Sequence, residues 1–252
     1  MINPCLNDGE CINVNASFSR CDCKKNFSGQ NCTLKKVELH SEILNYNESE
    51  EFKRILNLTT IQNWSLIYQA SIDGFDASNF HSKCDKALNT LIFIETTNSY
   101  VFGGYTEADW SGNGWKNDSN AFIFSLTNKE NKFLKINCNR TLKAIYANPS
   151  TGPIFGLFDI FVSNNSNSNK KSISNLGNYY KHPNYRDDSK ETKTFFAGTE
   201  KFTVRELEVY TISKNSKNNT IKFSYYFLII YFHQKFDFKL PLLIHATTME
   251  HI

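Results

Sequence analysis

The chain has 252 residues, 40% apolar and 21% charged, enough for one main domain and a small additional module. Its 28 Lys and Arg stand against 25 Asp and Glu, and the net charge of +3 is dispersed, which excludes a dedicated nucleic-acid binder or a polybasic membrane binder. An aromatic content of 14% with only 5 Pro and 11 Gly excludes collagen-like, disordered and helical-bundle classes and favours strands rich in Phe and Tyr.

Five of the seven cysteines crowd the start (Cys5, Cys11, Cys21, Cys23, Cys32), while Cys84 and Cys138 stand alone. A segment of this size has too little interior to fold on apolar burial alone, so the crowding reads as a disulfide framework. Zinc is the rival reading, but Cys21-Asp22-Cys23 lacks the two-residue gap that lets neighbouring thiolates share one tetrahedral ion. Met1 is followed at once by Ile2-Asn3-Pro4-Cys5, with neither a cationic start nor an apolar run. A chain that begins inside a longer secreted protein is therefore expected.

The order Asn3-Pro4-Cys5-Leu6-Asn7-Asp8-Gly9-Glu10-Cys11, Cys21-Asp22-Cys23 and Asn26-Phe27-Ser28-Gly29-Gln30-Asn31-Cys32 resembles an epidermal-growth-factor-like module that lacks its first cysteine. That resemblance implies pairing of Cys5 with Cys21 and of Cys23 with Cys32, leaving Cys11 unpaired by the truncation. The calcium-binding form of the family carries an acidic segment ahead of its first cysteine, absent here, and Phe18 lies one residue too far from Cys21. Calcium is not expected, and no cofactor is.

Asn-x-Ser/Thr acceptors begin at Asn15, Asn26, Asn31, Asn47, Asn57, Asn63, Asn117, Asn139, Asn164 and Asn218, more often than this Asn-rich composition gives by chance. Two readings stay open: glycosylation, with Asn63 excepted because it precedes Trp64, or accidents of composition.

Residues 34–40 read as a connector with no Pro/Gly/Ser linker, running into a helix. Asn47 with Glu50 makes a candidate capping box, and Phe52, Ile55 and Leu56 fall on one helical face. Strand-like runs follow at 90–96, 100–105, 121–126, 133–136, 144–146, 160–162, 194–197 and 206–212. Asn98-Ser99 and Asn128-Lys129 supply turns between them, and 111–114 and 164–169 are polar loops. Connections this short exclude parallel crossovers, so the domain reads as mainly β (α+β), two packed antiparallel sheets with short flanking helices.

Five ordered segments carry a further resemblance. They are Trp64-Ser65-Leu66-Ile67-Tyr68-Gln69-Ala70-Ser71-Ile72-Asp73-Gly74-Phe75, Phe80-His81-Ser82-Lys83-Cys84-Asp85, Val101-Phe102-Gly103-Gly104-Tyr105, Asp118-Ser119-Asn120-Ala121-Phe122-Ile123-Phe124-Ser125-Leu126 and Phe202-Thr203-Val204-Arg205-Glu206-Leu207-Glu208-Val209-Tyr210. With Ser174-Asn175-Leu176-Gly177 and Phe195-Phe196-Ala197-Gly198 they resemble a TLDc domain over 41–212. The resemblance implies a two-sheet β-sandwich, in a family linked to protection against oxidative stress and to binding the vacuolar proton-pumping ATPase. One motif departs: where relatives carry a glycine cluster before the Asp-Ile pair, this chain has Phe155-Gly156-Leu157-Phe158-Asp159-Ile160.

Gly103 and Gly104 suit a bulge or a close backbone approach, and Trp64, Phe75, Phe80 and Trp110 suit the core or its edge. Glu206 and Glu208 alternate with Leu207 and Val209, so both carboxylates share one side of a strand. That side is expected to face solvent, with a catalytic carboxylate pair as the remote alternative. His81 and Cys84, three apart on a short helix, form a candidate reactive pair, although no oxyanion donor or orienting third group accompanies them. In an oxidising compartment Cys84 and Cys138 are candidates for a disulfide, and exposed thiols at either position would be open to sacrificial oxidation. The tail 213–252 carries an apolar run at 223–232, too short to span a bilayer, and reads as disordered or as translated non-coding sequence. Its histidines, His233, His245 and His251, are too scattered for a metal site.

Two functions follow, with a third held in reserve. The first is a non-enzymatic, extracellular or cell-surface interaction protein of growth-factor-like (1–33) and TLDc (41–212) modules, with a partner the sequence does not name. The second is a cytoplasmic stress-protection protein binding subunits of the vacuolar ATPase, a location in which five crowded thiols would stay reduced. The third is a thiol-dependent enzyme using His81 and Cys84.

Overall fold

Asn7 and Asp8 take left-handed φ values of 51° and 58°, which short polar side chains tolerate, and lead the chain into a hairpin of β1 (Glu10–Asn15) and β2 (Phe18–Asp22). A second small pair joins β3 (Phe27–Ser28) to β4 (Leu34–Lys35). Disulfides Cys5–Cys21 and Cys23–Cys32 close this region. The computed structural model describes residues 5–15, 18–24, 27–28, 31–32, 34–35, 41–55 and 64–212. All of them lie in the compact unit Met1–Ser213, whereas the unit Lys214–Ile252, with the run 223–232 and the expected tail, lies outside the described residues.

Helix α1 (Tyr46–Ile55) starts two residues earlier than the sequence suggests. Its reciprocal cap is Asn45 with Glu48, not Asn47 with Glu50. The Glu48 N–H donates to Asn45 Oδ1 and the Asn45 N–H to Glu48 Oε2, both at 3.0 Å. Phe52 on this helix is buried, and Leu56 lies outside the described residues.

The main domain continues through β5 (Trp64–Gln69), α2 (Ala70–Asp73), α3 (Ala77–Cys84), β6 (Thr90–Thr96), β7 (Val101–Thr106), β8 (Gly114–Lys116), β9 (Phe122–Thr127) and β10 (Leu134–Asn137). After a 3₁₀ turn at Thr141–Lys143 come β11 (Ile145–Ala147), β12 (Ile154–Phe155), β13 (Ile160–Phe161), β14 (Ser172–Ser174), α4 (Lys190–Thr194), β15 (Lys201–Phe202) and β16 (Val204–Ile212). Two six-stranded antiparallel sheets result, ordered β10-β9-β7-β6-β16-β5 and β15-β14-β13-β12-β11-β8. This is the mainly β, two-sheet architecture with short helices that the sequence predicts.

The first sheet is covered on both faces, so its central strand β6 is buried at every position. Ile92 and Ile94 point inward to a core shared with Ile145, Phe155 and Ile160 of the second sheet. Leu91 and Phe93 point outward to a second cluster, where the Phe52 ring lies 5.0 Å from both Phe93 and Phe124. Two-sided burial explains why these strands read as continuous apolar runs rather than alternating ones.

The run 194–197 is not a strand. Ser189 accepts the Thr192 N–H and starts α4 over Lys190–Thr194, after which Phe195, Phe196 and Ala197 are buried, Phe196 stacked 5.1 Å from Phe102. A short apolar run buries equally well in either conformation, and here the cap decides. Strands β5, β8, β12, β14 and β15 go unread in the sequence because several are two or three residues long and exist only through their partners.

Gly103 is where the close backbone approach occurs: a Cβ there would lie 1.8 Å from the Ile92 carbonyl oxygen. Gly103→Ala is expected to destabilise the domain by about 3 kcal/mol or more, because strand β6 must shift to accept a methyl group. Urea unfolding followed by tryptophan fluorescence measures this, and an unchanged midpoint would show that the strand yields freely.

Candidate interaction site at one end of the sandwich

The hairpin between β12 and β13 turns through Gly156, Leu157, Phe158 and Asp159. Gly156 and Phe158 both adopt left-handed φ, 58° and 64°. For Gly156 the reason is space as well as conformation, since a Cβ there would fall 2.1 Å from Asp159 Oδ2. For Phe158 the conformation costs about 1–2 kcal/mol, which its neighbours must offset.

The offset comes from a cage around Asp159, whose side chain is fully buried. Its Oδ1 accepts N–H groups from Gly177 and Asn178 at 3.1 Å and from Tyr180 at 3.3 Å, and its Oδ2 accepts that of Tyr179 at 3.0 Å. Burial pushes the carboxyl up to about 7, and the four N–H donors pull it in the opposite direction. Further bonds pin the turn itself: the Asn175 N–H donates to the Phe158 carbonyl at 3.1 Å and the Asn178 amide to that of Leu157 at 2.8 Å.

So held, the turn presents its apolar side chains outward. Leu157 is 46% and Phe158 42% exposed, the Phe158 ring meeting Phe161 edge-on at 5.0 Å. Register places a second exposed group alongside: Ile145 opposes Phe155, and the Gly156 N–H reaches the Ala144 carbonyl at 2.9 Å. The 3₁₀ turn with Leu142, 74% exposed, therefore ends beside the hairpin tip. Arg140 lies over the Tyr179 ring at 5.2 Å and Lys143 over the Trp115 ring at 5.5 Å, and neither has a carboxylate partner among the described residues. Sequence reading passed over Leu142, Arg140 and Lys143 altogether. The available signal for Leu157 and Phe158 was the departure from the glycine cluster.

The residues singled out in the sequence lie elsewhere. His81 and Cys84 share the buried side of α3 but do not form a nucleophile–base pair. His81 Nδ1 faces Asp85 Oδ1 at 2.6 Å, and Nε2–H donates to the carbonyls of Asn148 and Thr151 at 2.8 and 3.0 Å, so the ring is committed to tying α3 to that turn. Cys84 is fully buried, and burial first, then Asp85 and Asp73, pushes its thiol far up, away from a reactive thiolate. Cys84 and Cys138 are free thiols, not bonded to one another, and Cys11 is free and exposed.

Glu206 and Glu208 share one face of β16, as their alternation implies, but that face is covered and not wet. Glu206 Oε1 accepts the Ser71 N–H at 3.0 Å at the start of α2. Glu208 receives Ser41 Oγ–H at 2.6 Å and the Glu42 N–H at 2.8 Å from the segment entering α1, together with the Tyr210 hydroxyl at 3.0 Å. Each carboxylate is thus an anchor for a covering element. Among the acceptor asparagines, Asn31, Asn47, Asn117, Asn139 and Asn164 are exposed, and Asn164 Oδ1 also holds the first N–H of α3 at 2.7 Å. Asn15 lies on β1, and Asn26, Asn57, Asn63 and Asn218 lie outside the described residues. Among the described residues no group of three or more His, Cys, Asp or Glu side chains is placed to hold a metal, and no helix is long and apolar enough to cross a membrane.

The family model of the TLDc domain matches residues 37–213. The chain belongs to the TLDc family. No curated protein matches it. The segments quoted from the sequence thus become parts of one TLDc sandwich: β5 with α2 and α3, then β7, β9 and β16. TLDc membership supports protein interaction or a role in the oxidative-stress response, and supplies no catalytic residue to set against the geometry above.

Two measurements follow for this TLDc chain. Because the folded pKa of Asp159 exceeds the ordinary value of 3.8, the folded state holds that proton more tightly. The resulting stabilisation is fully present below about pH 4 and is lost as pH rises toward 7. Urea unfolding across this window is expected to show the wild type losing stability relative to Asp159→Asn; parallel profiles would mean Asp159 does not titrate there. Alkylation with iodoacetamide and mass spectrometry is expected to label Cys11 in the native chain and Cys84 only after unfolding, with native labelling of Cys84 as the contrary result.

Proposed function

We propose that this TLDc chain acts by recognising proteins and has no chemistry of its own, with a growth-factor-like module (1–33) joined through 34–40 to the TLDc domain (41–212), outside the cell or on its surface. The observation that carries the reading is the pair of disulfides, Cys5–Cys21 and Cys23–Cys32, closed within a region too small for a core. Such bonds persist in oxidising compartments and are rare where glutathione keeps thiols reduced. The exposed acceptors Asn31, Asn47, Asn117, Asn139 and Asn164 are consistent with the same route. In favour of a non-enzymatic role, the His81 ring is fully engaged and the Cys84 thiol is buried, and Glu206 and Glu208 are taken up by covering elements.

Family membership supports a second reading, a cytoplasmic protein of the oxidative-stress response that binds the vacuolar proton-pumping ATPase. The two differ in compartment and so in covalent state. Peptide mapping of the native protein, with thiols blocked before reduction and sugars removed enzymatically so that a modified Asn becomes Asp, is expected to find Cys5 linked to Cys21, Cys23 to Cys32, and sugar at sites such as Asn117. Free thiols throughout and unmodified asparagines would overturn the extracellular reading in favour of the pump.

A further inference from the structure

Three exposed apolar side chains and two unpaired cations converge on one end of the second sheet. Leu157 and Phe158 form the tip of the β12–β13 hairpin, and Leu142 forms the adjoining 3₁₀ turn. These are protruding turns, whereas peptide ligands are taken by grooves and strand edges. Two basic side chains flank them. Arg140 and Lys143 lie over Tyr179 and Trp115 with no carboxylate partner among the described residues. Of the acidic groups at this end Glu107 is exposed, and the others are turned inward or neutralised. Asp159 is spent on four backbone N–H groups, and Asp118 on Thr106 and on the N–H groups of Glu107 and Asn120. Asp109 is paired with Lys116 at 3.1 Å and Asp187 with Lys181 at 2.5 Å.

We infer that this end of the sandwich docks on an anionic bilayer surface, with Leu157, Phe158 and Leu142 entering the headgroup boundary and Arg140 and Lys143 meeting lipid phosphates. Apolar insertion combined with attraction to anionic lipid is the chemistry of interfacial attachment, and it needs both parts because two cations alone hold weakly. The left-handed Phe158 fits this role. Its turn is held by the Asp159 cage and by bonds to the carbonyls of residues 157 and 158, so the tip meets the surface in a set shape. The inference does not rest on the compartment proposed above.

Co-sedimentation with vesicles of phosphatidylcholine, with and without phosphatidylserine, tests it on the intact chain after enzymatic removal of sugar. Deglycosylation matters because Asn117 and Asn139 lie at this same end, next to Lys116 and Arg140. Binding is expected to the anionic vesicles and to weaken with added salt. The double variants L157D/F158D and R140E/K143E are each expected to lower the bound fraction roughly tenfold or more. Ile72→Asp serves as the control. It changes a more exposed apolar residue on α2, next to the Ser71 that is tied to Glu206, and is expected to leave binding unchanged. Circular dichroism of each variant establishes that it is folded. No binding to the anionic vesicles would overturn the inference and leave a protein as the occupant of the tip. Equal binding to neutral vesicles, or folded tip variants that bind as the wild type does, would overturn it as well.

Discussion

Burial of both faces of the first sheet is the constraint on which the rest of this molecule depends. A six-stranded sheet whose central strand reads Thr90-Leu91-Ile92-Phe93-Ile94-Glu95-Thr96 has apolar residues to hide on either side, so a single partner layer does not suffice. The second sheet covers one face around Ile92, Ile94 and Phe102, and α1 covers the other by placing Phe52 among Phe93, Phe124 and Tyr210. Within this sheet the bare backbone of Gly103 on β7 lies against the Ile92 carbonyl of β6.

Polar groups taken into such an interior need partners, and the covering elements supply them. Glu208 on the outer face receives Ser41 and Glu42, and so ties the segment that enters α1 to the sheet it covers. Glu206 does the same for the start of α2. Glu95, buried beside them on β6, is met by Arg205. At the far end of the second sheet Asp159 gathers the N–H groups of Gly177, Asn178, Tyr179 and Tyr180. Among the described residues, Glu206, Glu208 and Asp159 are architectural: each fixes the position of a loop or helix that apolar packing alone would leave free to slide.

The same device shapes the exposed apolar tip of the β12–β13 hairpin. Because Asp159 and Asn178 hold the turn from beneath, Leu157 and Phe158 cannot fold back into the core and remain outside it with Leu142. The TLDc sandwich thus presents an exposed apolar surface made of turns at one end, remote from the His81–Asp85 clasp that ties α3 to the 148–151 turn. A domain with this layout is suited to attachment and recognition, and its covered thiol and engaged histidine leave no reacting centre at α3.

The sequence by itself determined the class of the fold, the family and the longer strands apart from β5. Apolar runs such as 90–96 and 121–126, the glycine pair at 103–104 and the ordered motifs around Trp64, Phe80 and Phe202 are local patterns, and hydrophobic patterning acts locally. It also determined that Glu206 and Glu208 share a face, because side chains in a strand alternate. What covers that face was settled by tertiary structure alone, since it depends on residues 41–55, some 150 positions away in the chain. So was the helix in place of a strand near 194, where a capping serine outweighs β propensity. The short strands β8, β12, β14 and β15 and the placing of the Leu142 turn beside the β12–β13 hairpin likewise required the folded chain. Two-residue strands carry no periodicity, and neighbours brought together by register leave no mark in the order of the residues.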